Sequence, residues 1–138
     1  MREILFRGKR TDNGEWVYGY YTNARYYLNE KEMHIIFEPD VEVFPHCEFA
    51  GYEEVIPETV GQYTGLTDRN GKKIFEGDIV KMRAYGVGYH CTSVYFRDGK
   101  FAVDGTQYHF KNICSNSVEV IGNIYDNPEL LEVKQNEM

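Results

Sequence analysis

The chain has 138 residues, 42% of them apolar, which is enough for one domain with a core or for two small lobes. Its 22 acidic and 15 basic side chains leave a net charge of −7. That balance opposes a duplex-binding role, which needs Lys and Arg to neutralise phosphates, although a local basic patch would survive it.

Residues 3–9 predict a strand, Thr11-Asp12-Asn13-Gly14 a turn, and residues 15–21 the return strand of a β-hairpin. Asn-Gly tolerates the positive φ that tight hairpin turns demand. Alternation puts Trp16 and Tyr18 on one face and Val17 on the other. The single Trp reads as a core anchor. Residues 25–28 and 33–37 form a second expected hairpin around the turn Leu28–Met33, because a helix there would lack a sustained 3.6-residue period. Pro39, Pro45 and Pro57 punctuate the stretch after this hairpin. Residues 53–61 predict an extended strand ending in a turn.

The densest local signal is residues 64–80, TGLTDRNGKKIFEGDIV. It joins the turn Asp68-Arg69-Asn70-Gly71, the short strand Ile74-Phe75, a second turn Glu76-Gly77-Asp78, and a strand opening at Ile79. Residues 84–88 predict a loop and residues 91–96 one strand. Arg97-Asp98-Gly99-Lys100 predicts a hairpin turn, residues 101–103 its return, and Asp104-Gly105 a further turn towards residues 108–110. Residues 118–125 predict the last strand, with Gly122 marking a bulge or a close backbone approach. Asn127 as N-cap and Pro128 at the first helical position then open a short C-terminal helix, and residues 134–138 form a polar tail.

This pattern is mainly β: an N-terminal hairpin region, a small SH3-like barrel-type lobe and a short C-terminal helix. Residues 1–138 read as a single unit, with lobes at about 1–60 and 61–125 and a helical tail at 126–138. Cys47, Cys91 and Cys114 form no CxxC pair and suit a reducing compartment. The opening MREILFRGKR lacks an apolar core, so no signal peptide is expected, and no apolar run is long enough for a membrane helix. A soluble cytoplasmic protein is the resulting expectation.

Little in the chain points to chemistry. His46-Cys47 and His90-Cys91, with His109 and Cys114, raise a zinc site, but neighbouring strand residues face opposite ways and the spacing is wide. A Cys–His nucleophilic pair has no helix N-terminus beneath any cysteine to activate it. Glu53, Glu54, Glu58, Glu76 and Asp78 could pair as acids, yet Glu76 and Asp78 flank a turn glycine and read as fold-makers. Gly86 and Gly88 are too sparse for a nucleotide loop. No catalytic residue, metal site or cofactor is expected. Eight Phe, one Trp and 12 Tyr suit half-buried strands, or alternatively a recognition face.

Three segments, MREILFRGKR with NGEWVYGY, then VIPETVGQYTGLTDRNGKKIFEGDIV, then VEVIGNIYDNPELL, closely resemble the YopX family of phage and prophage proteins. The resemblance spans both ends and the centre of the chain in the family's order. It implies a phage- or prophage-encoded protein of a bacterial host, mostly β, for which self-association is plausible. It carries over no catalytic residue. The matched positions that read as fold-makers are Trp16, Gly65, Asp68, Asn70, Gly71, Glu76, Gly77, Asp78, Gly122, Asn127 and Pro128. The functional expectation is an accessory protein acting through protein–protein contacts or self-association. The alternative is a nucleic-acid-associated small barrel, using Arg2, Arg7, Lys72 and Lys73, or an acidic mimic of DNA. An enzyme would need a pocket that gathers His90, Cys91 or His109 with acids.

Overall fold

The computed structural model describes residues 2–25, 28–38, 52–83, 88–104, 110–112 and 118–131. The chain divides into two compact units, Met1–Gln62 and Tyr63–Met138.

In the first unit, β1 (Phe6–Lys9) and β2 (Trp16–Arg25) form the expected hairpin, with Lys9 opposite Trp16 and Phe6 opposite Gly19. The turn closes through Gly14 N–H to the Arg10 carbonyl at 3.0 Å, while Asn13 Oδ1 accepts the Glu15 N–H at 2.9 Å. Strand β2 runs for ten residues, so it also serves the second hairpin, pairing Tyr20 with Phe37 through Arg25 with Glu32 of β3 (Glu32–Phe37). Strand β4 (Tyr52–Glu54) adds to β3.

The expected extended run through residues 53–61 is broken. After β4 the chain crosses from β3 to the end of β1: Val55 N–H donates to the His34 carbonyl and Ile56 N–H to the Lys9 carbonyl, both at 2.8 Å. Pro57 then opens a single 3₁₀ turn, Pro57–Thr59, where its missing N–H costs nothing. Thr59 is buried with its hydroxyl satisfied twice, donating to the Ile56 carbonyl at 2.6 Å and accepting the Lys9 N–H at 2.9 Å. Ile36 and Val55 are the most deeply buried apolar side chains of this unit.

Strand β5 (Gly61–Thr67) begins at the end of the first unit, where Gly61 and Gln62 pair with β1, and its later residues pair with β6 (Lys73–Phe75). The second unit holds a three-stranded sheet ordered β12-β7-β8, built from β7 (Asp78–Arg83), β8 (Tyr89–Ser93) and β12 (Val118–Asn123). A second three-stranded sheet, ordered β11-β10-β9, uses β9 (Tyr95–Arg97), β10 (Lys100–Asp104) and β11 (Phe110–Asn112). The fold is mainly β with antiparallel sheets, as expected; the described strands close no barrel.

The single strand expected over residues 91–96 is two strands in two sheets. Val94 separates them because its backbone is claimed elsewhere: its N–H donates to the Asp78 carbonyl at 2.8 Å and its carbonyl accepts the Gly77 N–H at 2.9 Å. The β9–β10 turn does obey Asp-Gly chemistry, with φ +53° at Asp98 and +80° at Gly99. Val94 also joins Ile74, Val80, Met82, Val103, Val118 and Val120 in one buried cluster, against which Phe101 packs. Asp104 ends β10, while Gly105, residues 84–87 of the expected loop and the tail over 134–138 lie outside the described residues.

Candidate functional site

The family-signature residues occupy turns and strand ends, and the turns are held by long-range bonds. Asp68 is 6% exposed, and its carboxylate takes three backbone donors: Asn70 N–H at 2.8 Å and Lys72 N–H at 2.9 Å on Oδ1, and Val120 N–H at 2.9 Å on Oδ2. Arg69 N–H donates to the Val118 carbonyl at 3.0 Å. The Asp68–Gly71 turn therefore covers the outer edge of β12, a terminal strand whose backbone groups would otherwise be open to other chains. Burial pushes the Asp68 carboxyl up, but the N–H groups of Val120, Lys72 and Asn70, helped by the Lys72 charge, outweigh it and hold the group below its ordinary value.

Asp78 is 2% exposed and accepts the Phe75 N–H at 2.7 Å, so it closes its own turn across Glu76 and Gly77. Gly77 sits at φ +92°, where a side chain would be strained. Its carbonyl accepts the Ile124 N–H at 2.9 Å, which ties the turn to the segment after β12. Gly65 and Gly71 have φ of +89° and +83°, and Asn70 is exposed.

Gly122 comes after the register shift in β12 between Val120 and Gly122. A Cβ there would lie 2.6 Å from Asn127 Oδ1 and 3.0 Å from Leu130 Cδ1, so the bulge and the close approach coincide. Asn127 Oδ1 accepts the Asn123 N–H at 3.2 Å, and Leu130 N–H donates to the Asn127 carbonyl at 3.0 Å. Pro128 precedes one helical turn at residues 129–131.

These bonds hold turns and strand ends. His90 is buried, with Nε2 2.9 Å from the Asp104 carbonyl oxygen, while Cys91 is half-buried. His46, Cys47, His109 and Cys114 lie outside the described residues. Among the described residues no three His, Cys, Asp or Glu side chains gather to hold a metal. Of the four expected phosphate-facing cations, Arg7 is 5% exposed and lies 4.7 Å from the Trp16 ring centroid, and Lys73 Nζ lies 5.4 Å from that of Tyr63. Arg2 and Lys72 are exposed.

The surface that does stand out is a face of the first unit's sheet. Register places Trp16, Tyr18 and Tyr20 of β2 on one side, with Phe37 opposite Tyr20 and Tyr52 opposite Phe37. Tyr18, Tyr20 and Tyr52 are 45%, 54% and 37% exposed, and the Phe37 and Tyr52 rings pack at 6.2 Å. Trp16, expected in the core, is half-buried on this face with Arg7 and Lys9 over its ring, the Lys9 Nζ 5.5 Å from its centroid. The opposite face carries Phe6, Tyr21 and His34, with the Tyr21 hydroxyl 2.6 Å from His34 Nδ1. Burial, then the nearby Glu32 charge, pushes the Tyr21 hydroxyl up. The alternation of residues 16–20 signalled half of the aromatic row, but the contribution of Phe37 and Tyr52 depends on register with β3 and β4.

The chain is thus a mainly β protein of antiparallel, turn-built sheets with an aromatic face on its first unit. The family profile described as YopX protein matches residues 5–132, and the chain belongs to the YopX family. It is similar to protein EF1440 from Enterococcus faecalis, known from its crystal structure, with 25% identity and a TM-score of 0.62 over 95% of this chain and 99% of that one. A comparison with curated proteins finds no match. No helix among the described residues is long and apolar enough to cross a membrane.

Proposed function

We propose that this YopX-family chain is a phage- or prophage-encoded accessory protein that acts in the bacterial cytoplasm through contacts with other protein molecules, copies of itself included. The observation that carries the reading is the row of exposed tyrosines, Tyr18, Tyr20 and Tyr52, on one sheet face beside Trp16 and Phe37. Tyrosine brings a large ring and a polar tip with little conformational entropy to lose, which suits it to protein interfaces. Family membership supports the phage origin, as the resemblance implies.

Nucleic-acid binding takes no support from Arg7 and Lys73: Arg7 is buried, and both lie over aromatic rings. Light scattering tests the proposal on the wild type and on a Tyr18→Ser/Tyr20→Ser variant. The expected result is an assembly larger than a monomer, or a stable complex with a co-expressed phage or host protein, that the double substitution weakens without changing the far-UV spectrum. A strict monomer that captures no protein partner would count decisively against it.

A further inference from the structure

We infer that the Asp68–Gly71 turn is an edge guard. It occupies the β12 backbone groups through which a second copy of this chain would add a strand, and so keeps the second unit from pairing edge to edge.

Among the described strands β12 ends its sheet, ordered β12-β7-β8. The turn bonds to that end at two places, two residues apart. The Arg69 N–H donates to the Val118 carbonyl at 3.0 Å, and Asp68 Oδ2 accepts the Val120 N–H at 2.9 Å. A residue of a parallel strand lying beside Glu119 would make the same two bonds, giving its N–H to one group and offering its carbonyl to the other. Here the Asp68 carboxylate stands in for that carbonyl. The turn therefore imitates one residue of a strand without supplying the rest of one. A turn former needs only the bonds that Oδ1 accepts from the Asn70 and Lys72 N–H groups. The second oxygen, on a side chain buried at 6% exposure and aimed at a strand 52 positions away, is what points to guarding.

The strand beneath the guard is of the kind that adds neighbours. Val118 and Val120 belong to the buried cluster of the second unit, Glu119 alternates with them, and Ile121 follows. Such β-branched residues favour pairing, and a strand laid beside them would extend the same apolar layer. A second copy is the occupant that the groups fit. In an antiparallel pairing of two β12 edges centred on Val120, each Val120 N–H donates to the Val120 carbonyl of the other copy, as two-fold symmetry requires. That register sets Glu119 opposite Ile121 of the other copy, so the like charges of the two Glu119 side chains do not meet.

The test uses the full chain and removes the two guard bonds separately. Asp68→Asn disturbs the bond to Val120. Arg69→Pro deletes only the N–H given to Val118, and neither Arg69 nor Asn70 has the positive φ that would bar proline from the second position of this turn. Ile36→Ala weakens the first unit without touching β12, and controls for association that merely follows loss of stability. Light scattering is recorded over a concentration series, at a temperature where each variant keeps the wild-type far-UV spectrum. An assembly built on the aromatic face is common to all four chains and cancels in the comparison. Asp68→Asn and Arg69→Pro are each expected to reach about twice the wild-type mass at high concentration, and Ile36→Ala is not. In the dilute variants the Val120 amide should exchange faster than in the wild type, and it should regain protection as they associate. Wild-type mass in both guard variants, an equal gain in Ile36→Ala, or association that leaves the Val120 amide unprotected would each overturn the inference.

Discussion

Replacing Asp68 should destabilise the second unit through an edge strand that lies far away in sequence. Asp68→Ala removes the acceptor of the Val120 N–H, a buried bond of 2.9 Å, and of the Asn70 and Lys72 N–H groups. The Val120 donor is left without a protein acceptor at about 1–3 kcal/mol, whereas Asn70 and Lys72 are exposed and can turn to water at about 0.5–1.5 kcal/mol each. The expected loss is about 2–6 kcal/mol against a typical total of about 5–15 kcal/mol. Asp68→Asn is the sharper variant. If its oxygen stays on Asn70 and Lys72, its amide nitrogen meets the Val120 N–H donor to donor, at a cost of about 1–3 kcal/mol. Urea titration should show a lower midpoint with an unchanged slope, and exchange of the Val120 amide should accelerate. The carboxyl is held below its ordinary value in the folded chain, so its contribution is complete above the usual carboxylate range and is lost as pH falls through the lowered folded value. The wild type should therefore lose stability in acid more steeply than either variant. Both variants within about 0.5 kcal/mol of wild type, with unchanged acid behaviour, would refute the reasoning.

Gly122→Ala places a Cβ 2.6 Å from Asn127 Oδ1, so it should cost about 1–3 kcal/mol in urea and release the Asn123 amide to exchange. Gly77→Ala imposes a left-handed Ala at φ +92° and should cost about 1–2 kcal/mol by the same titration. Ile36→Ala empties a fully buried site of the first unit and should cost about 2–5 kcal/mol, measured by calorimetry or urea. Arg10→Ala removes ion pairs with exposed Asp12 and half-buried Glu53, both open to solvent screening, and should leave the thermal midpoint nearly unchanged.

Local chemistry made much of this protein legible from residues alone. Asn13-Gly14 and Asp98-Gly99 announced their hairpin turns because these residue types tolerate positive φ, which Gly14 adopts in the first turn and both Asp98 and Gly99 in the second. Pro128 marked the opening of the helical turn, whereas the Asn127 side chain, expected to cap it, accepts the Asn123 N–H on the preceding segment; Gly122 marked the bulge. The signature segments likewise sufficed for the family. Chain order could not convey which distant groups would meet. Residues 91–96 have the composition of one strand, yet Val94 is drawn out of the run by the Gly77–Asp78 backbone. Asp68 reads as a turn former, and only the fold brings Val120, 52 positions away, onto its second oxygen. Tyr18 and Tyr20 share a face by alternation, but Phe37, Tyr52, Arg7 and Lys9 join them through pairing with other strands. Turns arise from the torsional preferences of adjacent residues, which the sequence states directly; edges, pins and surfaces arise from register, which long-range pairing alone decides.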